Sequence, residues 1–211
     1  MADFRALVVD FGGVLTSSIE DSFRVFAEEH DVERAHLREM LFAGHNEGRG
    51  VIRAIETGSV SLDEFEQELA GRIQTRSGDP LEAAGLVRRM FAGSQPDHRM
   101  IEALRQARAA GLRTALLSNS WGNRDTYNFE HFDTLFDVVV LSGERGMRKP
   151  DREIFELTAR ELGVEPAECV FVDDLEPNIR GAVATGMCGV HHTSTDETLR
   201  ELSTILGLTL S

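Results

Sequence analysis

Short runs of apolar residues that end abruptly in polar ones recur along the chain. Four runs lie at residues 6–9, 114–117, 138–141 and 170–172, and a weaker fifth run is Gly189-Val190. Their apolar residues follow one another directly instead of alternating with polar ones. Such short runs are typical of strands covered on both faces, and we therefore expect a parallel sheet.

The segments between the later runs have the apolar spacing of amphipathic helices. Pro96 can serve as a first-turn proline for one helix, which Gly111 closes. Further helices are predicted at 154–162, 177–185 and 197–206. Strands that alternate with single helices predict an α/β fold, a doubly wound, Rossmann-like parallel sheet.

Far more chain separates the first apolar run from the second than a crossover helix requires. Helix-like periodicity continues through this segment without a strand pattern, and Ser61 and Glu64 form a capping-box pattern. We therefore predict an α/β core formed by residues 1–16 and 94–211. A small all-helical domain, residues 17–93, is expected to be inserted after the first strand.

Composition narrows the function classes. With 211 residues, 41% hydrophobic and 27% charged, the chain is typical of a soluble globular protein and not of a disordered one. The net charge of −14 disfavours nucleic acid and anionic membranes as partners. Two cysteines are too few for a disulfide framework or a four-thiolate zinc site. No apolar run has the length needed to span a bilayer, and the N-terminal residues lack the layout of a signal peptide. We therefore expect a cytoplasmic protein. The sequence does not indicate its oligomeric state.

Polar residues with potential chemistry follow three of the predicted strands. They are Asp10, Ser118 and the pair Asp173-Asp174. Because ligands of open α/β sheets bind at the carboxyl ends of the strands, these residues are expected to converge. Three carboxylates in one crevice repel one another unless a cation neutralises them. An all-carboxylate cluster favours Mg²⁺ over Zn²⁺.

Lys149 is the second source of positive charge that the pattern offers. Of the 22 basic residues it is the only lysine, and all the others are arginines. Since an ammonium is a compact point charge and a guanidinium is a broad planar fork, the exception indicates a position that needs an ammonium.

Four segments resemble, in order, the signature motifs of the haloacid dehalogenase (HAD) superfamily. They are residues 8–16 (VVDFGGVLT), 116–120 (LLSNS), 148–151 (RKPD) and 170–178 (VFVDDLEPN). The resemblance covers essentially the whole predicted core. The helical domain at 17–93 resembles the cap of subfamily I of that superfamily.

The resemblance implies a hydrolase that acts on a small phosphorylated substrate with Mg²⁺. Asp10 matches the nucleophile that forms an aspartyl-phosphate, and Ser118, followed by Asn119, matches the group that binds the phosphoryl oxygens. Lys149 matches the ammonium that bridges nucleophile and phosphoryl group. The metal site would consist of Asp173 and Asp174, together with Asp10 and the Gly12 carbonyl.

The chain departs from the family pattern at Gly12, where phosphatases of the family usually carry a second aspartate that serves as general acid and base. Some branches of the family with Asp-Phe-Gly or Asp-Leu-Gly in this motif resemble sugar-phosphate phosphatases, so a phosphatase is the leading interpretation. One alternative is a 2-haloacid dehalogenase, whose first motif also lacks the second aspartate. The other is a degenerate member that binds a ligand or a protein without turnover.

Several other residues allow two interpretations. Asn178 either orients the acidic loop or is an exposed helical residue, and Trp121 either walls the pocket or packs in a core. Arg49 or Arg53 either meets a substrate or belongs to a plain interhelical segment.

Overall fold

Five parallel strands form one sheet at the centre of the protein. The structure is a computed structural model, which describes residues 3–42, 50–127 and 132–211. The strands are β1 (Ala6–Val9), β2 (Arg113–Ser118), β3 (Val138–Leu141), β4 (Cys169–Asp173) and β5 (Cys188–His191), in the spatial order β3-β2-β1-β4-β5. The predicted doubly wound α/β fold is confirmed, and all five apolar runs lie in strands. Since β1 is central, residues that follow it lie between the ends of β2 and β4.

The described residues include eleven helices and two short 3₁₀ turns, at Arg124–Thr126 and Pro166–Glu168. The helices are α1 (Ile19–Glu29), α2 (Arg34–Phe42), α3 (Val51–Glu56), α4 (Leu62–Arg72), α5 (Leu86–Met90), α6 (His98–Ala109), α7 (Phe132–Leu135), α8 (Ser142–Arg145), α9 (Arg152–Leu162), α10 (Glu176–Thr185) and α11 (Thr195–Leu206). In the described part of the chain, none of them has the length and apolar character to cross a bilayer.

Local sequence signals determine where several helices begin and end. Ser61 caps α4 with the predicted capping box, and Gly163 and Gly186 end α9 and α10 in the left-handed conformation. The prediction that Pro96 lies in the first turn of a helix is wrong. Asp97 is the N-cap of α6, because its carboxylate accepts hydrogen bonds from two backbone amides of the first turn, at 3.0 and 2.9 Å.

Helices cover both faces of the sheet. Along β1, Leu7 and Val9 pack in one core with α6 and α11, whereas Ala6 and Val8 pack in a second core with α9 and α10. This arrangement explains why the strands are apolar at every position, since successive side chains of a strand point to opposite faces.

Helices α1–α5, which lie between β1 and α6 along the chain, pack around a third hydrophobic core, which also includes Trp121. We refer to residues 17–93 as the helical insert. The chain enters and leaves the insert side by side, because Ser17 N–H donates to the Gln95 carbonyl at 2.7 Å and Asp97 N–H donates to the Leu15 carbonyl at 2.8 Å. The insert is thus joined to the rest of the protein through two adjacent, hydrogen-bonded backbone segments.

Candidate active site

The ends of three adjacent strands bring together the polar residues that the sequence singled out. Asp10 directly follows β1, and its backbone N–H donates to the Val172 carbonyl of β4 at 2.9 Å. Ser118 ends β2 and Asp173 ends β4. Each of Asp10, Asp173 and Asp174 offers a carboxylate oxygen within 4.8 Å of the other two. The predicted convergence of the carboxylates is therefore present in the fold.

Lys149 is fully buried and lies between two of these carboxylates. Its Nζ is 2.9 Å from Asp10 Oδ1 and 2.7 Å from Asp173 Oδ2, and it stands 5.6 Å above the centre of the Phe171 ring. Burial alone would lower the pKa of Lys149, but the charges and hydrogen bonds of Asp10 and Asp173 outweigh it and raise the pKa above its usual value. The ammonium therefore stays charged.

Asn119 holds the backbone of Lys149 from both sides. Its Oδ1 accepts the Lys149 backbone N–H at 2.8 Å, and its Nδ2 donates to the Lys149 carbonyl at 3.1 Å. Both ends of the side-chain amide are used in this way. The structure thus places Asn119, which the resemblance assigns to substrate binding, directly after β2 and in contact with the loop that carries the lysine.

Asp173 and Asp174 have different surroundings although they are neighbours. Asp173 is fully buried, and its carboxylate accepts hydrogen bonds from the Leu175 N–H at 2.8 Å and from Asn178 Nδ2 at 3.0 and 3.1 Å, besides the one from Lys149. Asn178 therefore orients the acidic loop, which was one of its two interpretations. Asp174 is partly exposed, and its carboxylate remains more accessible to a ligand.

The cluster carries more negative charge than one lysine can neutralise. Burial raises the pKa of Asp10 to about 7, with Asp173 and Asp174 adding to the rise and Lys149 opposing it. Burial, followed by the charge of Asp173, raises the pKa of Asp174 to about 6. The excess of carboxylates and the purely oxygen donor set fit a hard divalent cation such as Mg²⁺.

The two glycines after Asp10 allow close approaches that a side chain would block. Gly13 has a φ of +76°, and a Cβ on it would come within 2.4 Å of Asp174 Oδ2. A Cβ on Gly12 would lie 3.2 Å from Cγ1 and 3.3 Å from Cδ1 of Ile19, at the start of the helical insert. The place where a second aspartate would project is therefore bordered by an apolar side chain.

Sequence reasoning missed a neighbour of Ser118. The Tyr127 hydroxyl donates to Ser118 Oγ at 2.9 Å, and the tyrosine ring packs on Phe11, the residue that follows Asp10. The sequence offered one hint of this residue, since Tyr127 is the only tyrosine of the chain.

Sequence reasoning also missed the contacts between the insert and the loops of the site. Arg148 Nε lies 2.8 Å from Glu56 Oε2, and both side chains are almost completely buried. Trp121 packs among aromatic rings of the insert, as the packing interpretation proposes, and its ring centre is 5.4 Å from that of Phe91. Arg53 pairs with Asp151 at 3.6 Å. The other candidate of that segment, residue 49, lies outside the described residues.

Comparisons with known proteins agree on one family. A family model for haloacid dehalogenase-like hydrolases matches residues 4–186. Acyl-CoA dehydrogenase family member 10 of Mus musculus is 29% identical over 98% of this chain, which spans only 20% of that protein. Sesquiterpene phosphatase astK of Aspergillus oryzae is 31% identical over 72% of this chain and 77% of its own length.

Solved structures share the fold along nearly the whole chain. A predicted HAD-like family hydrolase from Porphyromonas gingivalis has a TM-score of 0.75 and 25% identity, covering 97% of this chain and 98% of its own. A HAD family enzyme from Bacteroides thetaiotaomicron, solved in complex with magnesium and inorganic phosphate, has a TM-score of 0.61 and 21% identity, covering 89% and 93%.

Proposed function

The chain belongs to the haloacid dehalogenase-like hydrolase family, and from this membership and the geometry around Asp10 we propose that it is a Mg²⁺-dependent phosphatase for phosphate monoesters of small metabolites. The observation that carries the proposal is the buried Lys149 ammonium, 2.9 Å from Asp10 and 2.7 Å from Asp173. A phosphoryl group bound beside Asp10 brings negative charge to this pocket, and a fixed ammonium stabilises it there.

Asp10 is the nucleophile of the proposed reaction. One of its carboxylate oxygens forms a bond to phosphorus while the bond from phosphorus to the ester oxygen breaks, which gives an aspartyl-phosphate and releases the alcohol. Water then attacks the phosphorus and restores the Asp10 carboxylate, releasing inorganic phosphate. The leaving alcohol takes up one proton from the solvent. On hydrolysis one proton of the attacking water stays on the phosphate, and the other returns to the solvent, so the two steps balance.

Lys149 and Ser118 hold the transferred group. The ammonium of Lys149 neutralises charge on the phosphoryl oxygens, and Ser118 Oγ donates a hydrogen bond to one of them. Phosphoryl transfer depends mainly on positioning and charge stabilisation, and these residues provide both from rigid strand ends. Asn119 contributes by holding the backbone of Lys149.

Asp10, Asp174 and the carbonyl of Gly12 would hold the Mg²⁺. Asp173 is already engaged by Lys149, Asn178 and a backbone amide, so it orients the site and Asp174 supplies the direct ligand. Bound Mg²⁺ would supply additional positive charge for the phosphoryl oxygens. The HAD family enzyme from Bacteroides thetaiotaomicron, solved with magnesium and phosphate, supports this part of the proposal.

The helical insert serves as the cap of this site, with the core formed by residues 1–16 and 94–211. The pair Glu56–Arg148 and the insertion of Trp121 into the core of the insert hold the cap next to the loops that carry Lys149 and Ser118. Such a cover excludes water from the site and limits the size of the substrate. We therefore propose a small metabolite, such as a sugar phosphate, as the substrate.

The test is phosphate release from p-nitrophenyl phosphate and from a panel of sugar phosphates, each with Mg²⁺ and with EDTA. We expect release that EDTA suppresses and that Asp10→Asn abolishes. Asp63→Asn, an exposed aspartate of α4, is the matched control and should leave the rate unchanged.

Two outcomes would contradict the proposal. Release of halide from 2-chloropropionate without metal, in place of phosphate release, would indicate a dehalogenase. Absence of turnover on every ester, with retained binding of phosphorylated ligands, would indicate a binding protein.

A further inference from the structure

Tyr127 makes its polar contact with the phosphoryl-binding serine. Its hydroxyl donates a hydrogen bond of 2.9 Å to Ser118 Oγ. Burial raises the pKa of Tyr127 above its ordinary value, while the hydrogen bond with Ser118 opposes the rise. The phenol therefore keeps its proton throughout the pH range in which an enzyme of this type works, and it remains a donor.

Aromatic contacts hold the Tyr127 ring, and one of them comes from the loop that follows β1. The Tyr127 ring meets the Phe11 ring edge to face, with centres 4.8 Å apart, and meets the Phe132 ring in the same way at 5.8 Å. Phe11 directly follows Asp10, and its own N–H donates to Asp10 Oδ1 at 2.7 Å. The aromatic contacts thus connect the orientation of Tyr127 to the segment that carries the nucleophile.

A serine hydroxyl has one proton to donate and two lone pairs to accept. Tyr127 occupies one lone pair of Ser118 Oγ, and among residues 3–42, 50–127 and 132–211 no acceptor takes the proton of Ser118. A donor on one side of the oxygen directs the serine proton away from itself and makes that proton a stronger donor, since hydrogen bonds in a chain polarise one another.

We propose that Tyr127 is a positioning residue that directs the Ser118 proton toward a phosphoryl oxygen. The proposal rests on the phosphatase function proposed above and deepens it. It assigns to the segment after β2 the role of orienting the side chain with which β2 ends. Tyr127 acts through Ser118, while the aromatic rings around it keep the pair in place.

The test uses binding of inorganic phosphate, measured by calorimetry with Mg²⁺ present, and kcat/KM for p-nitrophenyl phosphate. Tyr127→Phe keeps the ring and removes only the hydroxyl. We expect it to weaken phosphate binding and to lower kcat/KM, each by about tenfold. In a Ser118→Ala background the same substitution should have no further effect, because the group that it orients is gone.

A purely structural role predicts a different pattern. If Tyr127 only filled space, Tyr127→Phe would leave phosphate affinity unchanged, or its effect would be equally large with and without Ser118. Either result would overturn the proposal. Thr126→Val is the matched control, since it deletes a hydroxyl that donates to the Asn123 carbonyl at 2.7 Å in the same turn without touching Ser118. It should leave both measurements unchanged.

The two proposals can fail separately. A wild-type protein that binds phosphate but hydrolyses no ester would contradict the phosphatase function, while the binding comparison would still decide the role of Tyr127. A wild-type protein that hydrolyses esters, with Tyr127→Phe equal to it in affinity and in kcat/KM, would contradict only the role of Tyr127. Failure of the wild-type protein to bind phosphate would overturn the role of Tyr127, and the turnover measurement would then judge the function by itself.

Discussion

Arg148, the residue before Lys149, and Glu56, the last residue of α3 in the helical insert, form an ion pair that is withdrawn from water. The distance from Arg148 Nε to Glu56 Oε2 is 2.8 Å, and the side chains are 9% and 8% exposed. Removing both charges from water costs about as much as their attraction returns, so the pair adds little net stability. It does connect the insert directly to the loop that carries Lys149.

Removing one member of this pair should be costly, because the other charge then stays buried without its ion-pair partner. We expect Glu56→Ala and Arg148→Ala each to lower the free energy of unfolding by about 3–5 kcal/mol, as measured by urea denaturation. The double variant Glu56→Leu with Arg148→Met should cost much less than the sum of the two single changes.

The control for the ion pair is Glu156→Ala, which breaks the exposed pair Arg152–Glu156, with side chains 63% and 43% exposed. This change should cost at most about 0.5 kcal/mol. If Glu56→Ala and Arg148→Ala each lowered the free energy of unfolding as little as the control, and their effects were additive, the two buried residues would not be energetically coupled.

Much of the site could be predicted because it depends on the sheet. Once the apolar runs are recognised as parallel strands, the residues that follow adjacent strands must meet at one edge, and Asp10, Ser118 and Asp173 do so. Lys149 could also be singled out from the sequence, because it is the only lysine among arginines, and the structure places it between Asp10 and Asp173.

The missed features depend on packing between segments that are distant in sequence. Glu56 and Arg148 belong to residue types that occur many times in the chain, and no spacing rule connects them. The hydrogen bonds from the Asn119 amide to the Lys149 backbone were not predicted either. Such pairings arise only when the helical insert and the loops settle into one arrangement, and local patterns do not encode it.

Lys149→Arg should strongly reduce the proposed phosphatase activity although it keeps the positive charge. The ammonium lies in a fully buried gap between two carboxylate oxygens at 2.9 and 2.7 Å, and a planar guanidinium is too broad for it. We expect kcat/KM for p-nitrophenyl phosphate to fall by about 10²–10³-fold. Arg152→Lys, on the exposed surface of α9, should leave it unchanged. Activity of Lys149→Arg within tenfold of the wild type would contradict the need for an ammonium.

Binding of Mg²⁺ should strengthen as the pH rises. Burial raises the pKa of Asp10 to about 7 and that of Asp174 to about 6, and both carboxyls must lose their protons to bind a cation. The affinity should therefore rise by about tenfold between pH 6 and pH 7 and level off above pH 7. Calorimetry in two buffers with different ionisation enthalpies would measure both the affinity and the protons released.

The same shifts act on the stability of the metal-free protein, with a defined sign. A carboxyl whose pKa is raised by folding contributes stability that is fully present below its ordinary pKa and is lost as the pH rises through the raised value. The metal-free protein should thus become less stable as the pH rises through 6 and 7, and Mg²⁺ should offset the loss. An Mg²⁺ affinity independent of pH would contradict the assignment of these carboxyls as ligands.

Restoring an acid at position 12 should require a second change in the helical insert. A Cβ at Gly12 would lie 3.2 Å from Ile19 Cγ1, so Gly12→Asp alone should overpack this contact and lower the free energy of unfolding by about 1–3 kcal/mol. With Ile19→Ala the new carboxyl has room. We expect the double variant to hydrolyse sugar phosphates, whose alcohols are poor leaving groups, about 10²-fold faster than Ile19→Ala alone.

The increase in hydrolysis rate should depend on how much the leaving group needs protonation and on whether residue 12 can donate a proton. p-Nitrophenyl phosphate releases a good leaving group that needs little protonation, so its hydrolysis should change much less than that of the sugar phosphates. Gly12→Asn with Ile19→Ala fills the same space without an acid and serves as the matched control. If that variant accelerated sugar-phosphate hydrolysis equally, the gain would come from the changed packing between positions 12 and 19. If neither did, an acid at position 12 would not assist departure of the alcohol, and the prediction would be wrong.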